Sequence, residues 1–265
     1  MGILLNRLLI ILNDSEPCST DYHIAFLLII NFYSLCDMSI QQVAELCNVS
    51  KSTVSKFVRM INFEDYADFR AAATFKENKF NNSLNYNQNI AEFIESEGMA
   101  AYLKSIQNDI EECKKSLNML KIEKLAQYLV SYKKVAAFGL LFSEIAAVDL
   151  QTKLAYNGKF IITSMNDVKQ DIFINNAEED TLIIIFSNSG NYMQKYALSE
   201  FQEMKSFENI KAKIVLITFN KAMEHDPRVD LCITCNHTTS VQTHSYIFQL
   251  INDYIIMKYR AITRK

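Results

Sequence analysis

Glycine and proline are scarce. Five Gly and two Pro among 265 residues argue against a loop-rich chain, and with the many Leu, Ile, Lys and Glu residues they favour helices joined by short connections. A strong charge of either sign is also missing. The formal net charge of −3 gives no global pull toward nucleic acid or anionic lipid, so any nucleic-acid face must be local. Long apolar runs are absent as well. IAFLLIINFY at 24–33 is half the roughly twenty residues a membrane-spanning helix needs, so it reads as a core helix and no membrane partner is expected. Residues 1–12 lack a basic leader followed by a small-residue cleavage site; LLNRLLIIL there reads as an amphipathic helix packing on the first domain. The six cysteines, Cys18, Cys36, Cys47, Cys113, Cys232 and Cys235, are scattered, which fits a reducing cytoplasm. What the chain does hold is apolar mass: 49% hydrophobic residues can fill the cores of one large or two ordinary domains.

The hydrophobic spacing divides the sequence into two halves. Up to about residue 80 it is helical throughout, which predicts an all-α domain over 1–80. The polar, Asn-rich run NNSLNYNQ at 81–88 packs no core and sustains a helix poorly, so 81–104 is expected to be a linker and connecting helix. From 105 to 265 helical segments alternate with short β-branched runs: VAAFG at 135–139, KFIITS at 159–164, TLIIIFS at 181–187, KIVLITF at 213–219 and VDLCIT at 229–234. Helices are expected at 142–156, 191–206 and 241–262. Continuous apolar strands separated by helices imply a mainly parallel sheet covered on both faces, a doubly wound α/β domain.

In the first half, SIQQVAELCNVSKSTVSKFVRM at 39–60 has helix-turn-helix spacing. With Ile40 first, apolar residues take the fourth, eighth, tenth, fifteenth and eighteenth places (Val43, Cys47, Val49, Val54, Phe57), with Ala44 fifth. The ninth place needs left-handed backbone and holds Asn48, a residue that tolerates it. Ser50 follows where an N-cap is required. Ser50, Lys51, Ser52, Thr53, Ser55, Lys56 and Arg59 lie off the apolar face, with no acid between Glu45 and Glu64, as expected of a helix that reads a DNA groove. The run AELCNVSKSTVSKFVRMINFEDYADFRAAA resembles the N-terminal helix-turn-helix of the RpiR family of bacterial regulators. The resemblance is carried by Val49, Ser50, Thr53, Val54, Phe57, Phe63, Tyr66 and Phe69, with Asn62 where that family usually has Gly before the Phe.

In a parallel sheet the ligand crevice lies beyond the carboxyl ends of the strands. Two turns there stand out: GLLFS at 139–143 and SNSG at 187–190, the latter expected to open a helix near Asn191. Hydroxyls and exposed N–H groups at a helix start suit a phosphate. The arrangement over about 105–262 resembles the sugar isomerase (SIS) domain that follows the helix-turn-helix in the RpiR family. That resemblance implies that Gly139, Ser143, Ser187, Asn188, Ser189 and Gly190 form a phosphosugar site. Leu141 stands where the family has a second Gly. Tyr192 replaces a Thr and is expected to reach the ligand through its phenol.

Aldose–ketose isomerisation needs a carboxylate base, and nothing in the spacing of Glu144, Glu224, His225, His237 and His244 singles one out. No catalysis is expected. Cys232 and Cys235 lie three apart in a strand and would face opposite ways, so no metal site is expected, nor any cofactor. The sequence therefore predicts a regulator that binds operator DNA as a homodimer or dimer of dimers under control of a phosphorylated sugar. A phosphosugar isomerase, or a regulator whose second domain only dimerises, remain alternatives.

Overall fold

A computed structural model of the protein describes residues 2–73, 86–193, 207–239 and 241–264. They fall in two compact units, one within Met1–Asn81, the other within Asn82–Lys195 and Lys205–Lys265. Residues 81–85 of the expected linker lie outside the described residues.

The first unit holds α1 (Gly2–Asp14), α2 (Thr20–Ile30), α3 (Ile40–Leu46), α4 (Lys51–Met60) and α5 (Tyr66–Ala72). Short polar side chains set the starts of α2 to α5: Ser19, Ser39, Ser50 and Asp65 each accept a backbone N–H of the first turn. Helical spacing then builds the core. Leu4 and Leu8 of α1 pack with Ile24, Ala25 and Leu28 of α2, with Val43, Val54 and Phe57, and with Phe69 of α5. The run at 24–33 is only partly the core helix expected: α2 ends at Ile30, a 3-10 helix begins at Phe32, and Phe26, Ile30 and Tyr33 are exposed while Ile24, Ala25, Leu28 and Phe32 are buried; α1 packs Leu4 and Leu8 inward.

The second unit begins with α6 (Glu92–Glu97), α7 (Met99–Ser116) and α8 (Met119–Ser131). Four strands follow, β1 (Lys134–Phe138), β2 (Thr181–Phe186), β3 (Lys213–Thr218) and β4 (Leu231–Thr234), with α9 (Phe142–Ala155), α10 (Asp167–Asn175) and the terminal α11 (His244–Thr263). The sheet is wholly parallel in the order β1-β2-β3-β4. Successive strand residues face opposite ways, and both faces are covered. Val135, Ala137, Leu182, Ile184, Val215 and Ile217 pack against α8, α9 and α11. Ala136, Phe138, Ile183, Ile185 and Leu216 pack with Ile174 of α10, Tyr192 and Met223. Burial on both sides is why these strands read as unbroken apolar runs.

KFIITS does not form the strand its composition predicts. It makes a single parallel bridge, Ala136 to Ile162, and Phe160 points to solvent. The bridge still fixes the topology, because it places this segment on the side of β1 away from β2. α9 leads out to it across one face of the sheet, and α10 returns from it to β2 across the other. The winding therefore reverses at β1, and the reversal point is where doubly wound sheets open a crevice.

Cys232 and Cys235 pack into the cores on opposite faces, as their spacing implied. Among the described residues no helix is long and apolar enough to cross a membrane.

Candidate functional site

The helix-turn-helix is built from its caps inward. Ser39 and Gln42 form a capping box at the start of α3. Asn48 takes φ 51°, which lets the N–H of Val49 return to the carbonyl of Ala44 at 2.9 Å. Ser50 then opens α4, its Oγ accepting the N–H of Thr53 at 3.0 Å and lying 2.9 Å from the Thr53 hydroxyl. Ser50 and Thr53 thus spend hydroxyl capacity on the helix start. Lys51, Ser52, Lys56 and Arg59 are exposed, Thr53 and Ser55 half-buried, and Val54, Phe57 and Val58 buried. Ser52, Ser55, Lys56 and Arg59 recur at helical spacing and line one outward stripe.

The far end of α4 is held by a buried cation. Arg7 Nη1 donates to the carbonyls of Ile61 at 3.1 Å and Asn62 at 2.8 Å, and its guanidinium lies 4.8 Å from the centre of the Phe63 ring. These carbonyls lie at the carboxyl end of α4, where a cation complements the helix dipole. Asn62 has φ 64°, which explains how Asn serves where a Gly is usual.

In the α/β domain the turns after β1 and β2 lie side by side, since Phe138 pairs with Ile185. Gly139 is required by close approach: a Cβ there would sit 2.6 Å from the backbone carbon of Ser143. Its N–H donates to Glu144 Oε2 at 2.9 Å. Gln170 Nε2 donates to the same oxygen at 3.1 Å, to Gly139 O at 2.8 Å and to Ser164 O at 2.6 Å, and Thr163 donates to Glu144 Oε1 at 2.7 Å. Burial pushes the Glu144 carboxyl up to about 8, against the downward pull of these three donors. Leu141 has φ 54° and ψ −119°, a conformation that favours glycine.

In the second turn Gly190 has φ 78° and lies against Met223. Ser187 is buried and accepts the N–H of Tyr192 at 3.3 Å. Asn188 and Ser189 are anchored through their carbonyls, by Phe219 N–H and the Thr218 hydroxyl and by the Asn220 amide. The Ser189 Oγ accepts the N–H of Asn191 at 3.4 Å. The Tyr192 phenol differs from expectation. It is buried in the apolar layer under the turn and donates to Gln170 Oε1 at 2.5 Å, because a buried hydroxyl needs a partner. Burial first, then the charges of Glu144 and Asp167, push this phenol well above its ordinary value, so it stays a donor. The helix expected at 191–206 appears only as a 3-10 turn at Asn191–Met193; residues 194–206 lie outside the described residues. A separate cleft of about 510 Å³, lined by Tyr132, Lys211, Lys213, Arg228 and Asp230 among others, opens at the amino ends of the strands, away from both turns.

Residues 10–75 match the helix-turn-helix domain of the rpiR family. The N-terminal domain is an rpiR-type helix-turn-helix. An HTH-type transcriptional regulator of Providencia stuartii is 23% identical over 276 aligned residues, spanning 100% of this chain and 93% of its own. The NanR protein of Vibrio vulnificus, solved with ManNAc-6P, is similar at a TM-score of 0.51 and 14% identity over 97% of this chain and 92% of its own. Phosphoheptose isomerase of Neisseria gonorrhoeae is similar at 0.50 and 12% identity, over 62% of this chain and 98% of its own. At these identities the structural likeness establishes fold, and the second domain has the sugar isomerase fold.

In the rpiR-type domain every constrained position read from the sequence takes its expected backbone. In the sugar isomerase domain the sequence reading missed Gln170 and Thr163, and weighed Glu144 only as a base. All three are polar residues beside apolar runs, and only the fold brings them to one turn. The signal available was Glu144 itself, an acid directly after Ser143 in the turn that follows β1.

Proposed function

We propose that this chain is a transcriptional regulator that reads operator DNA with α4, and that a phosphorylated sugar held at the turns after β1 and β2 modulates that binding. The carrying observation is the outward stripe of Ser52, Ser55, Lys56 and Arg59, with Lys51, on a helix whose caps fix it in an rpiR-type helix-turn-helix. Short hydroxyl and long basic side chains on such a helix suit base edges and phosphates of a major groove. The sensing half is supported by two turns meeting at the winding reversal and by the fold likeness to NanR, which was solved with ManNAc-6P. Ser143, Ser187, Asn188, Ser189 and Gly190 are the proposed phosphate holders. The effector acts by binding the DNA-competent and DNA-incompetent states with different affinity.

Glu144 supports sensing over turnover. Both its oxygens are engaged by Gly139, Gln170 and Thr163, whereas an isomerase base must reach a substrate proton.

One short helix gives little specificity, and two-fold proteins match palindromic half-sites. Exposed Ile145 and Val148 of α9, with Phe160 and Ile162 on the adjoining edge segment, offer a second copy an apolar face.

Selection of genomic fragments on the purified full chain tests the proposal. An enriched palindromic site, bound less tightly by Lys56→Ala and Arg59→Ala and responsive to a sugar phosphate, is the expected outcome. Recovery of no enriched site refutes it.

A further inference from the structure

One face of α7 grips the chain that leaves β4. Asp109, Cys113 and Ser116 recur at helical spacing along that face. Asp109 is fully buried and accepts the Thr238 N–H at 2.8 Å and the hydroxyls of Thr239 at 2.8 Å and Thr243 at 2.6 Å. Two turns further on, Ser116 Oγ accepts the Asn236 N–H at 2.9 Å. The backbone just after β4 is therefore pinned to α7 at two points.

Beside those two points lie two thiols. Cys113 and Cys235 are 0% and 1% exposed and belong to the same core. The Cys113 thiol donates a hydrogen bond to the Cys235 sulfur, which also lies 3.6 Å from Ser116 Oγ. Both cysteines are free thiols. The anchored backbone on either side holds them face to face, although they stand far apart in the sequence.

The two thiols differ chemically. The bond to Cys235 first, then burial, raises the Cys113 thiol. Cys235 goes the other way: the bond from Cys113 lowers it, with help from Ser116 and against its burial. Elsewhere burial decides, raising Cys47 and pushing Cys232 up to about 11. Since the thiolate is the reactive form, Cys235 is the nucleophile and Cys113 the thiol that resolves it. Ser116 and Asn236 beside Cys235 are only half-buried, so a small oxidant has a short way in.

We propose that Cys113 and Cys235 are a redox latch, a dithiol that hydrogen peroxide converts reversibly to a disulfide tying α7 to the end of β4. The Cys235 thiolate attacks one peroxide oxygen and breaks the O–O bond. Its sulfur becomes a sulfenic acid, and the other oxygen leaves as hydroxide and is protonated to water. Cys113 then attacks the sulfenic sulfur; the S–S bond forms, the S–O bond breaks, and hydroxide leaves with the Cys113 proton as a second water. A thiol reductant reverses the change. The latch is independent of the phosphosugar reading.

The test uses the full chain carrying Cys18→Ser and Cys36→Ser, which removes the exposed and half-buried thiols. It is treated with hydrogen peroxide, quenched with N-ethylmaleimide and mapped by mass spectrometry without reduction. The expected product has lost two hydrogens, yields a linked peptide pair joining Cys113 to Cys235, and returns to free thiols with dithiothreitol. In the same background Cys113→Ala should stop at a sulfenic acid on Cys235, trapped by dimedone, and Cys235→Ala should leave Cys113 a thiol. The oxidised chain should also unfold at higher urea than the reduced one, because the bond closes a long loop. A linked pair that forms only in urea, or a sulfinic acid on Cys235 with Cys113 left free, overturns the latch. So does a lower urea midpoint after oxidation, which would mean that the bond forces the native packing apart. Mapping of the parent chain decides the case even where an alanine variant fails to fold.

Discussion

The N–H of Gly139 donates to the Glu144 carboxyl at 2.9 Å, so the turn after β1 is closed by the chain's own acid. This acid is buried, and its pKa is about 8 against an ordinary 4.5. Between those values the folded chain keeps a proton that the unfolded chain has released. Stability from this group is full below pH 4.5 and is lost as pH rises toward 8, by at most about 1.4 kcal/mol per pH unit. His244 acts the other way. Its pKa falls from 6.5 to about 4, so its contribution is full above 6.5 and is lost as pH falls toward 4. Thermal midpoints should therefore change little near pH 5–6 and decline from 6.5 to 8. Glu144→Gln keeps an acceptor for Gly139 and places an amide N–H where it can donate to the Thr163 hydroxyl, reversing that bond, and should remove the decline. A wild-type midpoint that rises through pH 7–8 contradicts this account.

The stripe on α4 predicts separable effects on DNA. Loss of Lys56 or Arg59 should weaken binding and reduce the salt slope by about one if the lost contact is to a phosphate. If Arg59 reads a base, Arg59→Ala should instead cost about 1–3 kcal/mol at one operator position and relax specificity there. Fluorescence anisotropy over a salt series with single-base operator variants measures both. Ser50→Ala should act differently, since its oxygen caps α4: about 1 kcal/mol of stability is lost, visible by urea unfolding without DNA.

Arg7 is a sharper test of how α4 is held. It is 5% exposed and bonds two carbonyls past the helix end. Arg7→Met fills similar space but leaves those carbonyls without the cation, and should cost about 2–4 kcal/mol. Arg7→Lys should not restore the loss, because an ammonium lacks the planar face set over Phe63. Urea midpoints of the three proteins decide it.

These cases show what the sequence could carry. Asn48 and Ser50 were legible because a tight turn and a helix start each demand a narrow residue class, and the structure uses both as expected. The strands were legible because burial on two faces writes an unbroken apolar run. KFIITS misled for the same reason: β-branched composition marks a favourable surface, and only Ile162 finds a pairing partner. The Tyr192 phenol could not be placed from its position in a turn motif, since its partner Gln170 lies 22 residues earlier on another helix.

Leu141 offers the last prediction. Its backbone at φ 54° and ψ −119° costs an L-residue about 1–3 kcal/mol, while glycine enters that region freely and loses about 0.5–1 kcal/mol through unfolded-state entropy. The side chain is half-buried, so truncation forfeits part of its apolar burial as well. The strain is the largest of these terms, and Leu141→Gly should leave stability unchanged or raise it by up to about 1 kcal/mol, where a well-packed Leu would lose 2–5 kcal/mol on truncation to Ala. Because the substitution also clears a bulky group from the turn beside Ser143, inorganic phosphate should bind more tightly. Urea unfolding together with calorimetric titration reads both quantities. A large loss of stability would mean that packing by Leu141 outweighs its backbone strain.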